Sequence, residues 1–231
     1  IASIFDNIYQ VRSVYSAESA LEYLRNHQPD IILSDVIMNE ISGLDFCRIL
    51  KEDMNYSHIP IVLISAKSNI REQIEGLNVG AIAYIVKPFD PDMLKALVRS
   101  QMQNMNEVRK QLRENTSAQI VSDTLSPQDR KFMDEVYTLM EQQLTMENIN
   151  IPSVCNEMHV SRTKFNYKIK QLTDMTPSAF FRTYKLNRAA KLLREGKCNV
   201  SEAAMQTGFN NLSYFSTIFK KQFGISPSEY K

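Results

Sequence analysis

The sequence predicts two domains of different class, an α/β domain with a parallel sheet followed by an all-α domain. Three observations carry this. In the first hundred residues, short apolar runs alternate with helical patterns, which is the signature of strand–helix units and a parallel sheet. Beyond residue 125 the strand signal stops, and capping residues and glycines mark out a series of helices. Charge divides in the same place. Between Asn150 and Lys231 thirteen Lys and Arg face five Asp and Glu, so this stretch carries +8 and the remainder −7.

The elements follow in order. Tyr9–Val14 alternates polar and apolar residues and reads as a strand near a sheet edge. Ala17–Asn26 follows as a helix with Ala20, Leu21 and Leu24 on one face. Ile31-Ile32-Leu33-Ser34 is a run that fits a strand buried on both faces, and it ends in Asp35. Leu44–Lys51 is the next helix, with Phe46, Ile49 and Leu50 toward the sheet. Ile61–Ile64 is a strand that runs into Ser65. Ile70–Leu77 is a helix that stops near Gly80, and Ala81–Val86 is a strand that runs into Lys87. Pro91–Met105 closes the domain, with Met93, Leu94, Leu97 and Val98 inward. Arg109, Lys110, Arg113 and Glu114 suggest a solvated helical extension, and the boundary is expected near Ser117–Leu125.

In a parallel sheet the carboxyl ends of the strands share one edge, where ligands bind. An acid (Asp35), a hydroxyl (Ser65) and an amine (Lys87) are therefore expected to meet. A carboxylate can attack phosphorus, a hydroxyl can hydrogen-bond a phosphoryl oxygen, and an ammonium can neutralise one. Here the sequence resembles the receiver domain of two-component response regulators. The matching residues are Asp35 with Met38 and Gly43, Ser65-Ala66, and Tyr84-x-x-Lys87-Pro88-Phe89. The resemblance implies a flavodoxin-like fold, with Asp35 accepting a phosphoryl group from a histidine kinase. Ser65 and Lys87 would bind that group, Tyr84 would be an aromatic switch, and Lys87–Pro88 would be a cis peptide. It also implies Mg²⁺, with Asp35 and the Ile37 carbonyl as ligands. Asn39 stands where such receivers usually carry proline. The first strand and its acidic pair have no counterpart, because residue 1 is Ile and Ile1–Phe5 resembles the tail of the first helix. The expectation is a piece of a longer chain or a missing start, with domain-swapped strand pairing as a further option.

The second half repeats one design. Ser126-Pro127-Gln128-Asp129 reads as a capping box that opens a helix, and Ser226-Pro227-Ser228-Glu229 repeats it. Pro152–Met158, the turn His159-Val160 and Ser161–Leu172 form one short-turn-long unit. Ser201–Thr207, the turn Gly208–Asn210 and Asn211–Phe223 form another, and Thr176–Glu195 joins them. Both units resemble a helix-turn-helix. Together, through Ala204-x-x-x-Gly208-Phe209-x-x-x-x-Tyr214-Phe215-x-x-x-Phe219-Lys220-x-x-x-Gly224-x-x-Pro227-x-x-Tyr230, they resemble the AraC/XylS-type DNA-binding domain.

On the first recognition helix Phe165, Ile169 and Leu172 are expected in the core, with Arg162, Thr163, Asn166 and Tyr167 toward the groove. On the second, Phe215, Ile218 and Phe219 are core and Leu212, Ser213, Ser216 and Thr217 face outward, with Asn210 and Asn211 at the start. Lys164, Lys168, Lys170, Lys220 and Lys221 are assigned to phosphate contact. Tyr214 and Phe209 are assigned to packing.

The resulting division is an incomplete receiver over 1–105, an extension and linker over 106–125, and a DNA-binding domain over 126–231. The function expected is a non-enzymatic, Asp35-phosphorylated transcription regulator. Its partners would be double-stranded DNA, a histidine kinase and a second copy joined through the receiver. Such pairings resemble the cytoplasmic end of hybrid two-component systems, whose parent chain can be anchored in the inner membrane. Two rivals stand beside it: a degenerate receiver serving only for dimerisation, and an aspartyl-phosphate enzyme with a basic accessory domain. Cys47, Cys155 and Cys198 lack C-x-x-C spacing and read as buried free thiols. His27, His58 and His159 lack metal-ligand spacing.

Overall fold

The structure is a computed structural model describing residues 1–114, 125–196 and 198–230. The chain forms two compact units, Ile1–Glu107 and Val108–Lys231. The boundary expected near Ser117–Leu125 falls largely on residues 115–124, outside the described residues.

The first unit is a parallel three-stranded sheet in the order β1 (Ile32–Asp35), β2 (Ile61–Ser65), β3 (Ala83–Val86). Ile32 lies opposite Ile61 across the first pair, and Val62 opposite Ala83 across the second. Every residue of β2 is buried, as a central strand with both faces covered must be. Ile61 and Leu63 pack with Leu24, Phe46 and Leu50 on one face. Val62 and Ile64 pack with Phe5, Ile85, Leu94 and Val98 on the other. Helices α1 (Ala2–Phe5), α2 (Ala17–Leu24), α3 (Gly43–Glu52) and the start of α5 (Pro91–Glu114) supply those partners together with Ile85 of β3, and α4 (Ile70–Asn78) precedes β3 in the chain.

The strand expected over Tyr9–Val14 is absent, and these residues have no regular structure. Among the described residues no strand lies beyond β1 to complete a ladder for it. An extended segment without a partner keeps its backbone groups in water, and Tyr9, Val11 and Val14 are indeed more than a third exposed.

Helix α5 continues nine residues past the expected Met105, to Glu114. Its end is less solvated than its charges suggest. Val108 and Leu112, four apart on one helix face, enter the core of the second unit, where Leu112 is fully buried.

The second unit is helical throughout its described residues: α6 (Pro127–Gln142), α7 (Ile151–Glu157), α8 (Arg162–Thr173), α9 (Pro177–Arg194), α10 (Val200–Gln206) and α11 (Leu212–Phe223). Two cores divide along α9. Its first half packs Phe180, Phe181 and Tyr184 with Phe132, Val136, Phe165 and Ile169. Its second half packs Leu186, Ala189, Ala190 and Leu193 with Ala203, Phe209, Phe215 and Phe219. Each of these N-termini is capped by a side chain, for instance Ser161 accepting from the Lys164 N–H and Thr176 from the Ala179 N–H.

The expected box at Ser126 is half formed. Ser126 Oγ accepts from the Asp129 N–H, while the Asp129 carboxylate turns inward to the Lys168 ammonium. Ser226–Glu229 closes a turn instead of opening a helix, with Glu229 accepting from the Ser226 N–H and hydroxyl. The complete box is at Asn199–Glu202, where side chain and backbone bond reciprocally.

Candidate functional site

Asp35 ends β1, Ser65 ends β2 and Lys87 follows β3 directly, so all three sit at the carboxyl edge of the sheet. The backbone ladder locks them in line: Asp35 lies opposite Ile64, Ser65 opposite Val86, and the Lys87 N–H donates to the Ser65 carbonyl at 2.7 Å. The Lys87 ammonium forms an ion pair with Asp35 Oδ2, with the two side chains 37% and 38% exposed. The Ile37 N–H donates to Asp35 Oδ1 at 3.3 Å, which orients the carboxylate. A carboxylate at a sheet edge, partly open to solvent and facing an ammonium, has the chemistry of a nucleophile toward phosphorus.

Gly43 sets this position. Its N–H donates to the Val36 carbonyl at 2.9 Å, and a Cβ there would overlap the Asp35 carbonyl oxygen and lie 2.8 Å from Val36 Cα. Only a glycine lets α3 begin this close to the strand end that carries Asp35. Ser65 is fully buried and its Oγ accepts from the Lys67 N–H at 3.1 Å. The Tyr84 ring rests over Gly76 of α4, where a Cβ would come within 2.8 Å of it, and its hydroxyl donates to the Lys67 carbonyl at 3.4 Å. The Lys87–Pro88 peptide is cis.

The residues present do not complete a Mg²⁺ site. Asp35 offers one carboxylate already engaged by Lys87, and among the described residues no group of three or more His, Cys, Asp or Glu is placed to hold a metal ion.

In the second unit the two helices expected to be recognition helices are α8 and α11. Arg162, Thr163, Lys164 and Lys170 are exposed on α8, with Asn166 and Tyr167 half-buried. Lys168 is the correction. It is 1% exposed and its ammonium is paired with Asp129, itself 1% exposed. Its place three residues after Phe165 puts it on the core face, so it is withdrawn from the phosphate-contacting lysines.

On α11 Leu212, Ser213, Thr217, Lys220 and Lys221 are exposed and Ser216 is half-buried. The Asn211 side-chain Oδ1 caps α11 by accepting from the Tyr214 N–H at 2.9 Å, and Asn210 Nδ2 donates to Glu147 at 3.1 Å. Tyr214 was assigned to packing, yet it is 49% exposed. With Arg182 it lines a cleft of about 270 Å³ beside the start of α11. The signal was available: Phe215 and Phe219 are four apart and fix the core face, which leaves Tyr214 off it. Lys185 was not singled out either. It is 4% exposed and donates to the Met146 and Glu147 carbonyls, and burial lowers its ammonium below the usual lysine range.

Among the described residues no helix is long and apolar enough to cross a membrane. Cys47 and Cys155 are buried and Cys198 half-buried, all free thiols.

Comparison with known proteins gives two domain matches: residues 1–99 match the response regulator receiver domain and residues 154–231 a helix-turn-helix domain. Histidine kinase P4 of Formosa agariphila is 32% identical over all 231 residues, which make up 17% of that protein's length. Response regulator PleD of Caulobacter vibrioides is 40% identical over 99 residues, 43% of this chain and 22% of PleD. The chain thus spans a minor part of these relatives. A solved signal receiver domain of a histidine kinase from Syntrophus aciditrophicus is 31% identical with a TM-score of 0.42, covering 45% of this chain and 79% of that one.

Proposed function

With residues 1–99 a response regulator receiver domain and residues 154–231 a helix-turn-helix domain, we propose that this chain is a two-component transcription regulator switched by phosphorylation of Asp35. The observation that carries the reading is the convergence of Asp35, Ser65 and Lys87 on one sheet edge, in the same chain as two exposed, lysine-bearing recognition helices. An Asp35 oxygen attacks the phosphorus of the donor, the bond from phosphorus to the donor atom breaks, and the donor leaves with that electron pair. The new acyl phosphate carries roughly −1.5 to −2 charges in place of the carboxylate's −1, a net gain of about one negative charge or less. Lys87 exchanges the carboxylate for phosphoryl oxygens, the Ser65 hydroxyl donates to another, and Tyr84 repacks over Gly76.

The change promotes pairing of two receivers and brings two DNA-binding domains onto one site, raising affinity by linkage. Arg162, Thr163, Asn166, Tyr167, Asn210, Asn211, Leu212, Ser213, Ser216 and Thr217 face base edges. Lys164, Lys170, Lys220 and Lys221 hold phosphates. Within one monomer the recognition helices serve successive major grooves, about 34 Å apart. The kinase that supplies Asp35 is a separate protein or a part of the same parent chain.

The test is intact mass after incubation with an acyl phosphate, with and without Mg²⁺. Wild type is expected to gain one phosphoryl group and Asp35→Asn none. No gain on wild type would sink the switch. It would favour the reading in which the receiver acts only as a dimerisation module.

A further inference from the structure

The last described turns of α5 are linked directly to α8 and, through Asn187 of α9, to α11. Three backbone carbonyls in the last described turn of α5 accept from side chains of the second unit. Tyr137 Oη donates to the Leu112 carbonyl at 2.7 Å, and Asn187 Nδ2 donates to the carbonyls of Arg113 at 2.8 Å and Glu114 at 3.2 Å. Asn187 on α9 has a second role, because its Oδ1 accepts from Gln222 Nε2, near the C-terminal end of α11, at 2.8 Å. One turn earlier Arg109 Nε donates to the Gln171 carbonyl, near the C-terminal end of α8, at 3.1 Å. Leu112, fully buried with Phe132, Val136 and Phe165, anchors the stretch.

We propose that Arg109, Asn187 and Gln222 are positioning residues. With the end of α5 they form a bracket that sets the spacing of the two recognition helices. This rests on reading the second unit as a DNA-binding domain.

The lever arm gives the bracket its leverage. A twelve-residue helix such as α8 or α11 is roughly 18 Å long at 1.5 Å per residue. A tilt of about 10° about its held C-terminal end therefore moves its N-terminal residues by about 3 Å, close to the ~3.4 Å step between successive bases of a strand. Holding the two C-terminal ends against α5 and α9 thus determines which separation of contacted base pairs the N-terminal ends can reach. Asn187 is the pivotal group because its amide nitrogen serves α5 while its oxygen serves α11. Asn187→Asp removes the donor to α5 and keeps the acceptor for Gln222. Gln222→Ala removes only the link to α11, at an exposed residue.

The probe is a duplex selected from a randomised library by the wild-type chain, with versions that gain or lose one base pair between the two contacted segments. Wild type is expected to bind the respaced duplexes about tenfold more weakly. In Asn187→Asp and Gln222→Ala the respacing penalty is expected to fall to about threefold or less, while Gln222→Ala melts within a few degrees of wild type. A wild-type chain indifferent to spacing, or variants that keep the tenfold penalty, would overturn the bracket and leave the DNA-binding reading intact. A wild-type chain that selects no duplex would overturn both. Should Asn187→Asp fail to fold, Gln222→Ala decides.

Discussion

Replacing Lys168 by Met separates core from interface more cleanly than any other single change. Lys168 and Asp129 are each 1% exposed and paired. Taking the ammonium away leaves the Asp129 carboxylate buried without its cation, and breaking a buried pair from one side costs about 3–5 kcal/mol. For a helical unit of roughly 120 residues, 1 kcal/mol moves the melting temperature by about 4 °C, so a fall of about 10–20 °C is expected for the second unit. Asp129→Leu alone leaves the lysine buried in the same way and belongs in the same range. The double variant removes both charges from an apolar setting that includes Phe132 and Phe165, and should recover most of the loss. The assay is calorimetric unfolding of all four chains, followed below each melting temperature by DNA affinity across a salt series. A phosphate-contacting lysine contributes about 0.9 to the slope of log affinity against log salt. Lys168→Met should therefore leave the slope unchanged, while Lys221→Ala, at an exposed site on α11, should lower it by about 0.9. A lower salt slope with little loss of stability in Lys168→Met would refute the assignment of this residue to the core.

Three further outcomes are expected. Gly43→Ala should destabilise the first unit by about 1–3 kcal/mol in denaturant unfolding and impair phosphoryl uptake at Asp35, because the new Cβ collides with the Asp35 backbone. Gly208→Ala, at a φ of +71° with the Met146 and Leu144 carbonyls in the way, should cost the second unit roughly 2–4 kcal/mol in the same measurement. Burial pushes the Tyr137 phenol up, and burial together with the bond to Glu141 does the same for Tyr184. Since the folded values exceed the unfolded one near 10, these phenols contribute stability that is intact below pH ~10 and lost as pH rises through the folded values. The second unit should lose about 1.4 kcal/mol per pH unit for each of the two above pH ~10, and Tyr137→Phe should remove about half of that slope.

Much of the molecule follows from local pattern. The runs ending in Asp35, Ser65 and Lys87 gave strands that end within a residue or two of those positions, because an apolar run flanked by helices has few other folded states open to it. The paired short and long helices of the second unit follow from capping residues and from spacings such as Phe165–Ile169 and Phe215–Phe219, which fix a core face one turn at a time. Convergence of the acid, hydroxyl and amine follows from strand direction alone, since parallel strands must finish at one edge.

What the sequence left open depends on partners far away in the chain. Tyr9–Val14 has a strand's alternation and no strand beside it, and a ladder needs two sides. Lys168 carries the charge of a phosphate contact, but Asp129, in another helix, decides that it is buried. The end of α5 reads as solvated because Arg109, Lys110, Arg113 and Glu114 outnumber Val108 and Leu112. Tertiary structure decides otherwise because Tyr137 and Asn187 reach its final carbonyls, and no local pattern encodes a hydrogen bond across 25 or 74 residues. The sequence by itself thus determined which elements form and which side chains share the sheet edge. Only the packing of distant segments decided which charges are buried and which side chains meet the last described carbonyls of α5.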